Sequence, residues 1–87
     1  LYLAAAEKLA RHLLDEHLYD DALDVCRQIL ARDDCWEAAY RLSMEAYAAL
    51  GNRPAVHATY QRCADALRAE LDVEPSAETR ALFERLS

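Results

Sequence analysis

Apolar residues recur along the chain with the spacing of helices that each bury one face. Near the start they return every three or four positions, at Leu3, Ala6, Leu9, Ala10, Leu13 and Leu14. This period matches one side of an α-helix and not the alternation of a half-buried strand. The pattern therefore predicts a first helix that runs to about Glu16.

A second apolar set follows a short connection at residues 17–20. Its members keep the helical spacing, and they are Ala22, Leu23, Cys26, Ile29 and Leu30. Because the connection is short, we expect the first two helices to form a hairpin.

Capping residues mark the limits of a third helix, at roughly residues 35–50. Asp34 can cap its N-terminus, and Glu37, three residues later, can reach back to that cap. Gly51 stands where the end of a helix needs a left-handed residue. The residues that this helix is predicted to bury are Tyr40, Ser43, Met44 and Tyr47.

Two more helices follow the third. Asn52 can cap a fourth helix, which carries Pro54 in its first turn. Its predicted buried residues are Val56, Tyr60, Cys63, Ala64, Leu67 and Leu71. Pro75 then breaks the pattern, and Ser76 can cap a fifth helix at about residues 77–86. The fold class is therefore predicted to be all-α, with five helices and no strand.

The two hairpins repeat each other at a spacing of about 34 residues. A shift of this length pairs Leu13 with Tyr47 and His17 with Gly51. The packing positions of both units resemble those of tetratricopeptide repeats. The resemblance implies a right-handed stack of helical hairpins, with two hairpins plus a C-terminal helix, in a single domain over residues 1–87.

The segment around the fourth helix carries a more specific resemblance. Residues 60–63 read Tyr-Gln-Arg-Cys, and residues 67–76 read Leu-Arg-Ala-Glu-Leu-Asp-Val-Glu-Pro-Ser. Together with residues 29–33, 36–47 and 78–83, these segments resemble the bacterial transcriptional activator domain of regulators of the antibiotic regulatory protein type. One departure is Asp72, which stands where members of that family commonly carry glycine.

That resemblance implies a regulatory protein-interaction domain of a bacterial transcriptional activator, which binds partners or itself and does not contact DNA directly. The expected partners are other domains of the same regulator, a second copy or the transcription machinery. Such domains usually follow a winged-helix DNA-binding domain. Since Leu1 already lies inside a helical pattern, we expect the chain to be a fragment of a longer regulator. The alternative is a general tetratricopeptide scaffold or adaptor in a signalling or ATPase protein.

The charge of the chain argues against nucleic acid as a direct ligand. Sixteen acidic and ten basic side chains give a formal net charge of −6, whereas affinity for phosphates needs a basic face. No apolar run approaches the roughly 20 residues that span a bilayer, and no signal-peptide pattern is present. We therefore expect a cytoplasmic protein without membrane contact.

The reactive residue types do not form a catalytic or metal-binding pattern. Cys26, Cys35 and Cys63 include no C-x-x-C pair, so neither a disulfide framework nor a structural metal site is predicted. A single glycine leaves no Gly-rich turn for an oxyanion site, and we expect neither enzyme activity nor a cofactor. Cys35 is predicted at a helix N-terminus, where a thiolate is favoured, and is the one cysteine to test for reactivity.

The tetratricopeptide resemblance also supplies candidate partner-binding residues, because the first helix of each hairpin lines the concave surface in such arrays. Carried over by position, the candidates are Glu7, Arg11, Leu14, Asp15, Arg41 and Glu45. An ordinary solvated face is the alternative for them. Trp36 is added because tryptophan is enriched at interface hot spots, although it can instead pack on the preceding hairpin.

Overall fold

The computed structural model describes residues 2–87 and forms five α-helices, as predicted. They are α1 (Leu3–Asp15), α2 (Tyr19–Arg32), α3 (Glu37–Ala49), α4 (Arg53–Leu71) and α5 (Ala77–Leu86). No strand occurs within residues 2–87. Leu1, which the apolar pattern includes in the first helix, lies outside the described residues.

Consecutive helices pack against each other as hairpins. α1 packs on α2, α2 on α3 and α3 on α4, and α5 then returns to contact both α3 and α4. α1 also contacts α3, so α3 is the central helix of the stack. This arrangement confirms the predicted tetratricopeptide-like stack of two hairpins with one additional helix.

Small side chains allow the helices to approach closely around α3. Ala10, Ala39 and Ala46 have no exposed surface and belong to the cluster that joins α1, α2 and α3. Farther along the stack, Tyr40 and Met44 are buried against residues of α4, and the cluster of Met44 extends to α5. The core therefore runs continuously from the first hairpin to the last helix.

The two hairpin turns share one backbone geometry. His17 and Gly51 both adopt left-handed conformations, with φ of 63° and 75°. In the first turn the amide of Leu18 donates to the carbonyl of Leu13, and in the second the amide of Asn52 donates to the carbonyl of Tyr47. These are the bonds of a helix end closed by a left-handed residue. The turns thus confirm the repeat, because the predicted shift pairs His17 with Gly51.

Two predicted N-caps are present, and a third prediction is wrong. The side chains of Asn52 and Ser76 accept hydrogen bonds from backbone amides in the first turns of α4 and α5. Asp34 does not cap α3, because that helix begins only at Glu37 and has no side-chain cap. Asp33 instead accepts a hydrogen bond from a backbone amide in the preceding turn, and Glu37 is bound by α5.

Two leucines predicted to be buried are exposed: Leu9 is 49% exposed and Leu71 is 59% exposed. Leu9 is adjacent to Ala10 in the buried row of α1, and adjacent helical residues point about 100° apart. Leu71 is the last residue of α4 and extends past Leu67, the final buried residue of that helix. The half-buried members of the predicted core are Leu3, Leu13, Leu30, Tyr47, Tyr60 and Ala64.

Candidate interaction face

Helices α1, α3 and α5 form one side of the molecule, which we call the α1–α3–α5 face. α3 lies in the middle and contacts both of its neighbours. Side chains from all three helices surround a shallow cleft of about 310 Å³, among them Lys8, Arg41 and Glu78. Every candidate residue predicted from the sequence except Trp36 lines this cleft or a neighbouring one, and Trp36 bonds to Glu7 beside it.

Arg11 joins α1 to α3 through a paired contact with Glu45. Its two terminal nitrogens donate to the two carboxylate oxygens of Glu45 at 3.2 and 2.7 Å, and Asp15 Oδ1 lies 3.5 Å from one of these nitrogens. The hydrogen bond to Glu45 raises the pKa of Arg11, against the opposing effect of burial. Because Arg11 and Glu45 occupy equivalent positions in the two hairpins, the contact holds the repeats in register.

Trp36 connects the start of α3 to α1. Its indole Nε1 donates a hydrogen bond of 2.8 Å to a carboxylate oxygen of Glu7, and the ring packs against the cluster that joins the first three helices. The tryptophan thus packs on the preceding hairpin and stays partly exposed. The packing alternative for Trp36 is therefore confirmed, and its role as a partner contact stays a prediction.

A buried polar group joins α3 to α5. The hydroxyl of Thr79, which has no exposed surface, donates to Glu37 Oε2 at 2.6 Å and accepts from Arg41 Nη1 at 3.0 Å. The amide of Ser76 donates to the same oxygen of Glu37 at 3.0 Å. Arg41 also lies 3.5 Å from Glu78 in the first turn of α5. We call Glu37, Arg41, Ser76 and Thr79 the α3–α5 junction.

The pKa of Glu37 reflects these contacts. Partial burial disfavours the carboxylate and acts to raise the pKa. Hydrogen bonds from Thr79 and Ser76, together with the charge of Arg41, more than offset burial, so the pKa lies below its ordinary value of 4.5. Glu37 is therefore held as a carboxylate that serves as the main acceptor of the α3–α5 junction.

The remaining candidates differ in accessibility. The side chain of Asp15 is 62% exposed, whereas Leu14 is only 6% exposed and belongs to the core cluster. Leu14 thus forms part of the floor beneath the face. The residues that sequence reasoning missed are Lys8, Glu37, Glu78, Thr79 and Arg85, which also line the face or its junctions. No local pattern pairs Glu37 with Thr79, since they are 42 positions apart.

The cysteines are arranged for packing. Cys26 and Cys63 are buried, and burial raises the pKa of both thiols, to about 12 for Cys63. The prediction that Cys35 is activated at a helix N-terminus is wrong, because α3 begins two residues later. Burial and the neighbouring charge of Asp34 raise its pKa as well.

None of the helices within residues 2–87 is long and apolar enough to cross a bilayer.

Comparison with known proteins agrees with the resemblance seen in the sequence. A family model described as the bacterial transcriptional activator domain matches residues 1–87. No curated protein matches the chain, and no solved structure does.

Proposed function

Because the chain belongs to the bacterial transcriptional activator domain family, we propose that it regulates transcription by binding protein through the α1–α3–α5 face and not by contacting DNA. The family is one of regulatory domains and not of enzymes. The observation that carries the proposal is that α1, α3 and α5 present one surface. Side-chain hydrogen bonds join α1 to α3 and α3 to α5 along it.

The surface of the face suits a protein partner. Exposed basic groups at Lys8 and Arg85 alternate with acidic groups at Asp15 and Glu78, and the shallow clefts between them are about 270 to 320 Å³. Such a mixture of charge and small apolar area fits a helix or an extended segment of a partner. Because side-chain bonds already hold the three helices in place, less ordering of the backbone is needed on binding.

The candidate residues have two roles in this proposal. Glu7, Arg11, Arg41 and Glu45 hold the three helices at fixed distances, as their internal hydrogen bonds support. Asp15, the exposed part of Trp36 and the basic groups missed from the sequence present the contacts that a partner reaches. The partner is another domain of the same regulator, a second copy or a component of the transcription machinery.

The distribution of cations supports the exclusion of DNA. Within the described chain, Arg11, Arg27, Arg41 and Arg68 each pair with at least one carboxylate. The basic residues without an ion pair in that part of the chain are spread over four helices, and they are Lys8, Arg32, Arg53, Arg62, Arg80 and Arg85. A phosphate backbone needs several cations on one face. We propose that DNA is contacted by a separate, upstream domain of a longer regulator.

Fluorescence anisotropy with a labelled DNA duplex tests this part of the proposal. At about 0.15 M salt we expect no saturable binding up to about 100 µM protein, because a net charge of −6 opposes approach to phosphate. A basic DNA-binding protein on the same duplex serves as the positive control. Saturation at micromolar concentration, weakened steeply by added salt, would contradict the proposal.

A further inference from the structure

Another cleft lies on the side of α3 opposite the α1–α3–α5 face. Within residues 2–87, no Cα atom of α2 lies within 8 Å of a Cα atom of α4, and α3 forms the floor between them. The resulting cleft has a volume of about 310 Å³. None of the residues assigned above to partner binding lines it.

The walls of this cleft are positively charged, in contrast to the chain as a whole. Arg27 of α2 and Arg62 of α4 line it, and none of its lining residues is acidic. Arg62 makes no ion pair or side-chain hydrogen bond with any residue of the described chain. Among residues 2–87, Arg27 pairs only with Asp24. Both side chains are more than half exposed, so this ion pair is weak.

Residues with hydroxyl groups line the same cleft. Thr59 lines the cleft and is 5% exposed, yet its hydroxyl forms no hydrogen bond with residues 2–87. No buried side-chain oxygen or nitrogen in that part of the chain lacks a partner, so the small exposed area of Thr59 must include its hydroxyl. Tyr47 also lines the cleft, and its hydroxyl is likewise unbonded within the described residues.

The geometry points to a binding site for a small organic anion, and we propose that the cleft between α2 and α4 binds a carboxylate or phosphate ester. Arg62 and Arg27 supply the charge, since guanidinium groups pair with both anions through parallel hydrogen bonds. Thr59 and Tyr47 donate hydroxyl hydrogen bonds that orient the anion. Leu23 of α2 offers an apolar wall, and the volume suits a ligand at the small end of the usual range.

Chemical-shift titration of the ¹⁵N-labelled 87-residue chain tests the proposal. The probes are phenyl phosphate, benzoate and neutral benzyl alcohol at constant ionic strength. We expect saturable shifts at the amides of α2 and α4 with at least one anion, and none with the alcohol. The anion that binds more tightly identifies the preferred head group.

Variants separate a specific site from general charge attraction. Arg62→Gln should weaken binding at least about tenfold, because hydrogen bonds between charged groups are lost. Arg53→Gln removes the same charge from the first turn of α4, outside the cleft, and should leave binding unchanged. Thr59→Val should weaken binding several-fold, and circular dichroism confirms that each variant is folded.

Three results would overturn the proposal. They are the absence of saturable shifts with both anions, equal binding of benzyl alcohol, and equal weakening by Arg62→Gln and Arg53→Gln. These measurements do not involve the α1–α3–α5 face. A result that overturns the anion site therefore leaves the proposed function untouched.

Discussion

Left-handed backbone conformations occur at three described residues, and two of them are not glycine. Gly51 has a φ of 75°, His17 of 63° and Asp72 of 53°. Only glycine adopts this region without a steric penalty from Cβ, although Asp and Asn tolerate it better than most residues. The ends of α1 and α4 therefore carry a local cost that the end of α3 avoids.

Replacing Asp72 by glycine should stabilise the protein by about 0.5–1 kcal/mol. The ion pair with Arg68, at 3.9 Å and with Asp72 88% exposed, contributes little against this gain. Urea unfolding measures the difference, and Asp72→Ala, which keeps a Cβ, should not stabilise. A lower free energy of unfolding for Asp72→Gly than for the natural chain would show that the carboxylate matters more than the backbone.

The raised pKa of Cys35 predicts that its thiol reacts slowly with alkylating reagents. Burial and the charge of Asp34 disfavour the thiolate, which is the nucleophilic form. At pH 8, iodoacetamide should modify Cys35 more slowly than a model thiol, and Cys26 and Cys63 only after unfolding.

Asp34→Asn should accelerate the reaction of Cys35 by about two- to fivefold, since it removes the nearest negative charge. Asp20→Asn, on α2, is the matched control and should leave the rate unchanged. Mass spectrometry of timed samples gives the rate at each cysteine. Reaction at Cys35 as fast as that of the model thiol would contradict the account.

At the scale of elements, the attachment of α5 depends on the α3–α5 junction. Thr79 is fully buried and shares its hydroxyl between Glu37 and Arg41. Removal of that hydroxyl leaves both charged partners without their buried contact, which is more costly than the loss of one hydrogen bond between neutral groups.

Thr79→Val should therefore destabilise the protein by about 1–3 kcal/mol. Thr79→Ser keeps the hydroxyl and should therefore lower the free energy of unfolding by less than Thr79→Val does. Hydrogen exchange locates the effect, because the amides of α5 should lose protection before those of α1 and α2. Uniform loss of protection along the chain would mean that α5 is not a separately attached element.

Acid should loosen the same junction. The pKa of Glu37 in the folded protein lies below its ordinary value of 4.5, so its contribution to stability is complete above that value. The contribution is lost as the pH falls through the lower, folded pKa. Urea unfolding at pH 6 and at pH 3 measures how much free energy of unfolding is lost on acidification. This loss should be smaller for Glu37→Gln than for the natural chain, and an equal loss would show that other groups cause the acid sensitivity.

The elements differ in how far the sequence predicted them. The end of α3 at Gly51 and the caps at Asn52 and Ser76 were predictable because their partners lie within a few positions. The start of α3 was predicted wrongly because Glu37 fits a local capping pattern equally well. Its actual partner, Thr79, lies on another helix. Only the packing of α5 against α3 decides whether Glu37 caps α3 or accepts from Thr79.

At the scale of the whole molecule, charged side chains hold the stack together along one face. Arg11 with Glu45, Glu7 with Trp36 and the α3–α5 junction each join helices that are not consecutive in sequence. These bonds keep α1, α3 and α5 side by side. The face is therefore defined by the stacking of the helices and does not require a partner to form.

The sequence predicted this face only through the repeat. A shift of one unit places Arg11 and Glu45 at equivalent positions, and the structure joins them at 2.7 Å, a contact that the repeat did not predict. It did not predict that Leu14 is 6% exposed, or that α5 completes the face with Glu78 and Arg85. α5 has no counterpart in the first hairpin, so the repeat carried no information about it.

The central claim, regulation through protein contacts at the α1–α3–α5 face, is tested most directly by transcription from a reporter promoter. The domain is fused to an unrelated DNA-binding domain that is inactive alone. We expect the natural sequence to raise transcription. Lys8→Glu with Arg85→Glu should reduce that rise at least about fivefold, because both cations proposed to contact the partner are replaced by groups of opposite charge.

Arg32→Glu with Arg53→Glu makes the same change in net charge outside the face and should retain the rise. Circular dichroism and expression level are matched for all three fusions. Equal activity of the natural chain and the Lys8/Arg85 variant, or equal loss in both double variants, would contradict the assignment of this face.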